Sequence, residues 1–356
     1  MIQITESWAS KYFSSAIPDL VLTISGTRAL VKVTADTDVI FEEALYPDTE
    51  SKISLTDFDQ LVAPYVYKKL LFPLRVDIEE QNVSLDTDGN EIVSSLQQSN
   101  VSTTVVSCLA DTGVSAESFC NSRFLSLIDG VRQTSKGRME YLSYIGSGTA
   151  ACLATYSDGS TASFSCQTVA SGDGWGTVDV SPNNFEAAGK QLVSYVISLG
   201  SRSQDYEVLQ DPEVDVAPIL LFFNSFGVQE IAYCTGEHQQ IPAFDRKAAR
   251  VGRKKMNYRI DERETFRADT GVMSYAMANW WREVFRSQDV RVLTDLSVNS
   301  PGTPVIITSQ DAKLSNAADH LPRYTFEYEY AQVNHNVFDA RQEGRIFDFT
   351  FDNTFN

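Results

Sequence analysis

The chain has 356 residues, 43% of them hydrophobic and 11% aromatic, and carries a formal charge of -18. That apolar content excludes a disordered chain, the length exceeds one ordinary β-sandwich, and the acidity opposes general affinity for phosphate backbones or anionic membranes. No stretch of 18 apolar residues occurs, and the start MIQITESWASKYF lacks a basic then apolar leader, so a soluble protein without secretory signal or membrane insertion is expected.

Period-two alternation marks strands at Leu20 to Ile24, Leu30 to Val33 and Val39 to Phe41. YPDTESK is a turn signal leading into the strand-like KISL. In TDFDQLVAPYV, Thr56 and Asp59 have capping-box spacing and Phe58, Leu61 and Val62 supply an apolar side, which predicts a short helix that Pro64 stops or bends. LRVDIEE returns to strand periodicity. The polar SLDTDGNEIVSSLQQSN is expected as an exposed loop or arm before TTVVSCLA.

The middle of the chain contains RMEYLSYIGSG, TAACLATYSDGSTASFSCQ and GWGTVDVSPNNF, strands broken by Gly, Ser and Asp-Gly turns. YSDGST is a hairpin signal, because Asp-Gly tolerates the positive φ of a tight turn. A two-residue Asp158-Gly159 loop pairs Cys152 with Ser165, whereas a three-residue loop places Cys152 opposite Cys166. The five cysteines, Cys108, Cys120, Cys152, Cys166 and Cys234, form an odd set without a C-x-x-C pair, which points to buried reduced thiols. LVSYVISLG and DYEVL are further strands, and the acidic QDPEVDVAP connects to the apolar ILLFF.

In GVMSYAMANWWREVFRSQ, Met273, Met277, Trp280 and Val284 recur at helical spacing, predicting an amphipathic helix over 270–288. Trp280 and Trp281 diverge by about 100° on such a helix, so Trp281 is expected to serve a second packing surface and is a candidate interface residue. PVIITS and RYTFEYEYA resume the strand pattern. The last residues place Phe347, Phe349 and Phe351 on one side of an extended segment, which predicts a tail strand docking across a subunit contact. Between Arg246 and Arg267, nine Lys or Arg residues, including Arg253, Lys254 and Lys255, face only Asp261, Glu262 and Glu264. That cationic stretch is expected to meet an acidic face of a neighbouring copy rather than nucleic acid.

These elements predict a mainly β, multidomain chain of antiparallel β-sandwich or barrel-like modules with a few short helices and the C-terminal amphipathic helix. The expected division is 1–105, 106–210 and 211–356, the last with the docking tail.

Chemical motifs are sparse. His238, His320 and His335 lack metal-ligand spacing. There is no G-x-S-x-G elbow, phosphate-binding glycine loop or dinucleotide fingerprint, and DTDGNE departs from a calcium loop at its later positions. Asp77, Glu79, Asp179, Glu327 and Glu329 are carboxylates in strand-like surroundings, and Tyr324, Phe326, Tyr328 and Tyr330 form an aromatic stripe able to stack on a sugar or pack a sheet. No catalytic residue, cofactor or metal is predicted.

VIFEEALYPDTESKISLTDFDQLVAPYV resembles the opening domain of structural proteins of Bacteroidetes phages and prophages, and FFNSFGVQEIAYCTG and HLPRYTFEYEYAQVNHNVFDAR are similar to segments of the same group. The resemblance implies tail or other virion architecture, built in the bacterial cytoplasm from β domains that pack as homo-oligomers with other virion proteins, and it brings no catalytic residue. A non-enzymatic virion subunit, tail-associated, is therefore the expected function. A cell-surface adhesin or carbohydrate-binding module with a surface glycan as ligand is the first alternative, and an unrecognised glycan-active enzyme the second.

Overall fold

Alternation of apolar and polar residues becomes sheet along most of the chain in the computed structural model, which describes residues 2–331 except 6, 67, 171, 211–216, 295, 297–300 and 316–320. The fold is mainly β, with several antiparallel sheets and a few short helices. The first portion runs β1 (Gln3–Ile4), β2 (Lys11–Phe13), β3 (Leu20–Thr23), β4 (Arg28–Ala35), β5 (Asp38–Leu45), β6 (Lys52–Leu55), helix α1 (Phe58–Val66), β7 (Leu71–Leu85) and β8 (Glu91–Val106). These strands make a three-stranded sheet, β1-β3-β6, and a five-stranded one, β2-β8-β7-β4-β5. In β4, Ala29, Val31, Val33 and Ala35 are buried while the residues between them reach toward solvent, as the pleat requires. They share one core with Leu20, Leu22 and Ile53 of the other sheet and with Phe58 and Val62 of α1.

Three local expectations change here. Pro64 lies inside α1, two residues before its end at Val66, so of the two expected effects it does not stop the helix; its missing N–H removes one helical bond, that to the carbonyl of Gln60. Thr56 does not cap the helix, for its hydroxyl turns to Asp57 Oδ2 at 3.0 Å and Asp57 adopts a φ of 59°. The polar segment after LRVDIEE is strand rather than loop: it forms the outer half of the β7–β8 hairpin, where antiparallel pairing satisfies the backbone despite polar side chains. Asp86 Oδ1 closes the turn by accepting from the backbone N–H of Asp88 and of Asn90, each at 2.8 Å.

Helix α2 (Ala116–Ser122) leads into β9 (Arg132–Ser135), β10 (Tyr141–Ile145), β11 (Ala151–Tyr156), β12 (Thr161–Ser165), β13 (Thr168–Ala170), β14 (Trp175–Asp179), β15 (Leu192–Leu199) and β16 (Arg202–Leu209). They form sheets β12-β11-β15-β16-β9 and β10-β14-β13. The YSDGST hairpin forms, with a register that neither turn expectation gave: Ser157, Asp158 and Gly159 make the loop, so Cys152 pairs with Phe164 and Ala151 with Ser165. All five cysteines are buried free thiols. Tyr195 and Tyr206 stack at 4.5 Å inside this core.

The last portion holds β17 (Ile219–Phe223), β18 (Gln229–Tyr233), β19 (His238–Val251), β20 (Lys254–Asp269), helix α3 (Tyr275–Arg286), β21 (Val290–Leu293), β22 (Thr303–Asp311) and β23 (Thr325–Tyr330). One seven-stranded sheet, β18-β17-β21-β22-β23-β20-β19, carries α3 against it. The helix is shorter than the expected 270–288 because Ser274 caps it, accepting from Met277 N–H at 3.2 Å. Met273, Met277, Trp280 and Val284 are buried as their spacing predicts. The two tryptophans do diverge, but both partners belong to this chain. Trp280 lies under the Arg132 guanidinium of β9, while Trp281 contacts Phe285 and Phe326 and is only 2% exposed. A subunit contact through Trp281 is therefore closed off by the chain's own packing.

Candidate assembly interface

The cationic stretch between Arg246 and Arg267 is the outer part of the β19–β20 hairpin. Its root is held in the sheet, since β20 pairs with β23 from Thr265 to Asp269. Aromatic packing fixes that root: His238 stacks on Phe266, Phe266 lies 5.0 Å from Tyr328, and His238 Nε2 is 3.0 Å from the Tyr328 hydroxyl. Beyond the Ile241–Thr265 pair no third strand follows among the described residues, where residues 242–264 project as a two-stranded ribbon. At strand rise, the ten residues Pro242 to Val251 carry the tip about 33 Å from the root.

The tip is a two-residue loop, Gly252-Arg253, with Val251 opposite Lys254. Gly252 has a φ of 63°, a conformation that a hairpin turn needs and that glycine adopts without steric cost. Of the sequence-predicted interface residues, Arg253, Lys254 and Lys255 are thus brought together at the exposed tip. The predicted tail residues Phe347, Phe349 and Phe351 lie outside the described residues.

Two features of the ribbon were hidden from sequence periodicity. Register places Arg250 directly opposite Lys255, and Lys247 opposite Arg259. Like charges facing each other across an antiparallel pair are destabilising. A bulge beside Ala248 leaves Tyr258 as the extra residue, 69% exposed, and Phe244, Met256 and Ile260 are exposed with it. Apolar and cationic groups therefore stand together on both faces of an element with no core of its own.

The β7–β8 hairpin is the second projecting element. Its root is set by Glu80, fully buried, whose Oε1 accepts from the backbone N–H of Ser25 and of Gly26, each at 2.6 Å, and from the Ser25 hydroxyl at 2.8 Å. Burial alone would raise this carboxyl; the hydrogen bonds from Ser25 and Gly26 more than offset it and hold Glu80 below its ordinary value. Gly26 is required there, since a Cβ would sit 2.7 Å from the Gln81 carbonyl oxygen. Toward the tip, Leu85, Ile92, Val93 and Leu96 are exposed beside Asp86, Asp88 and Glu91.

Elsewhere, a cleft of about 570 Å³ is lined in part by Lys68, Lys69, Tyr141, Trp175, Phe223 and Phe226, and among the described residues its walls hold no carboxylate, imidazole or thiol. The buried carboxylates Glu140 and Glu230 flank Arg132, at 2.9 and 2.8 Å, and neither lines that cleft. No group of three His, Cys, Asp or Glu side chains among the described residues is arranged to hold a metal ion. Nor is any helix among them long and apolar enough to cross a membrane. The aromatic stripe is core: Tyr324, Phe326 and Tyr328 are at most 2% exposed, which removes it as a sugar-stacking face. Among the scattered carboxylates, Asp77 pairs with Arg75 at 2.6 Å and Asp179 accepts from Ser181 at 2.7 Å, both local contacts.

No protein-family model matches the chain, and comparison with curated proteins gives no match.

Proposed function

We propose that this chain is a non-enzymatic structural subunit of a phage or prophage virion, tail-associated, that works through subunit contacts made by its projecting hairpins. The observation that carries this reading is the ribbon over 242–264, exposed along most of its length and paired with no third strand among the described residues. An isolated two-stranded ribbon is marginal in water, and a chain that maintains one with exposed Phe244, Met256, Tyr258 and Ile260 has a surface suited to another macromolecule. The virion setting rests on the resemblance of the FEEALYPDTESK and RYTFEYEY regions to Bacteroidetes phage proteins. In this reading the sheets form sandwich-like or barrel-like modules, divided near 105 and 210, which act as rigid bases for the hairpins. Subunits assemble in the bacterial cytoplasm with further copies and with other virion proteins.

The test replaces residues 242–264 by a short Gly-Ser turn joining Ile241 to Thr265. Light scattering and electron microscopy should show wild-type particles larger than one chain, and monomers of unchanged thermal stability for the variant. Wild-type monomers at every concentration and in the presence of the neighbouring virion proteins would overturn the reading.

A further inference from the structure

We infer that the cationic ribbon of one copy docks on the acidic β7–β8 hairpin of another copy. This rests on the proposed role as an assembly subunit and names the surface that completes it.

The ribbon asks for an anion. Nine cations against three acids leave a surplus of six between Arg246 and Arg267, and at the tip Arg250 is held directly opposite Lys255 by register. Placing an anionic surface against that pair turns a cross-strand repulsion into two attractions, so the ribbon gains order as it docks. A second copy supplies such an anion: with the ribbon's surplus removed from the whole-chain charge of -18, the rest of each copy carries -24. The same field repels nucleic acid at long range.

Within that acidic surface the β7–β8 hairpin is the matching place. No Lys or Arg occurs from Val76 through Val106, while Asp77, Glu79, Asp86, Asp88 and Glu91 lie along it. Its exposed Leu85, Ile92, Val93 and Leu96 offer apolar surface to the ribbon's Phe244, Met256, Tyr258 and Ile260. Among the described residues β8 pairs with β2 only at Thr104–Val106, and Ile2 and Ala9 contact Gln97 and Thr103; the outer backbone from Glu91 to Leu96 has β7 as its one partner strand there, a sheet edge that an incoming strand can extend. Around β5 the acids are served by cations, Lys32 reaching Glu42, Lys52 reaching Glu50 and Lys69 reaching Asp36; on the β7–β8 hairpin Arg75 reaches Asp77 and Arg28 reaches Glu91, which leaves Asp86 and Asp88 at its turn without an ion pair among the described residues.

The two hairpins belong to different sheets, and no hydrogen bond joins them among the described residues. A contact between two different surfaces of identical copies leads to a ring, a filament or a reciprocally exchanged pair.

Charge reversal in complementary halves tests this. One variant carries Arg250→Glu, Lys254→Glu and Lys255→Glu; the other carries Asp88→Lys and Glu91→Lys, sparing Asp86 because it closes the turn. Circular dichroism checks that both fold. Light scattering of wild type should show assembly that weakens with salt, each variant alone should lose affinity by about tenfold or more, and an equimolar mixture should assemble again, since one partner presents two cationic hairpins and the other two acidic ones. Assembly of wild type with no response to either reversal, or no rescue on mixing, overturns the hairpin pairing and leaves the subunit role standing. Wild-type monomers throughout overturn both. Retention of wild type on duplex DNA, abolished by the ribbon reversal while assembly persists, overturns the pairing and assigns the ribbon to a polyanion.

Discussion

Trp280 donates its indole Nε1–H to Glu230 Oε2 at 2.8 Å, the same oxygen that accepts from Arg132 Nη1 at 2.8 Å. Helix α3, strand β18 and strand β9 thus meet at one buried carboxylate. Glu140 closes the other side of Arg132, and Thr134 donates to it at 2.9 Å. Burial alone would lower the Arg132 guanidinium; Glu140 and Glu230 more than offset that and hold it charged. Burial also pushes the Glu140 carboxyl up against the pull of Arg132.

A buried ion cluster is weak evidence of net stabilisation, yet breaking one is costly because the remaining charges stay desolvated. Arg132→Met should lower stability by about 3–5 kcal/mol in urea titration. Trp280→Phe keeps the ring but leaves Glu230 one donor short, and should cost about 1–3 kcal/mol. An Arg132→Met protein as stable as wild type would show that the cluster is not what ties β9 to the last sheet.

Glu80 gives a pH signature. Its folded carboxyl lies below the ordinary value of 4.5, so its contribution is complete above the unfolded pKa and is lost as pH falls through the folded one. Glu80→Gln should cost about 2 kcal/mol at neutral pH, the scale of hydrogen bonds to a charged group. The difference from wild type should then shrink as the pH falls through the folded value, where the native carboxylate is itself protonated. A gap that stays constant from pH 7 to pH 3 would place the effect in packing rather than in charge.

Much of this architecture was legible in the sequence, and the failures have physical causes. The alternation in Leu30 to Val33 and the helical spacing of Met277, Trp280 and Val284 reported their burial directly, because periodicity records which face meets a core. The segment from Ser84 to Asn100 misled for the same reason. Its residues meet no core, so no period is imposed, and only antiparallel pairing with β7 makes it a strand. The cationic run was visible as composition, but the facing of Arg250 and Lys255 depends on a bulge and a two-residue turn, both set by pairing register. Trp281 was assigned to a subunit contact because divergence on a helix does not say whether the second surface lies in the same chain.

The thiols should be inert in the native protein. Burial raises Cys108 and Cys152 to about 12 and Cys166 to about 11, and pushes Cys234 up as well, so the reactive thiolate is scarce at neutral pH. Ellman's reagent at pH 8 should label none of the five within the time that labels all of them in guanidinium. Rapid native labelling of Cys152 or Cys166 would indicate that the sheet β12-β11-β15-β16-β9 opens locally.

The ribbon's cohesion can be read from amide exchange in the monomer, at dilution. At its root, residues 265–269 of β20 are paired on both sides, with β19 and with β23. Among the described residues, 242–264 are paired on one side only and bury little, so their opening should cost far less than global unfolding. Exchange should therefore be fast along the ribbon and slow at the root, with the change falling near Ile241 and Thr265. Arg250→Glu replaces a repulsive cross-strand pair with an attractive one facing Lys255, a gain of roughly 0.2–1 kcal/mol. That gain should slow exchange up to about fivefold between Ala248 and Asn257 and leave 265–269 unchanged, since a pair at the tip adds nothing to strands already locked in the sheet. Slower exchange everywhere would mean that the substitution acts on global stability. Ribbon amides as protected as the root in wild type would mean that the ribbon already has a host within the chain, and the case for a neighbouring copy would fall with it.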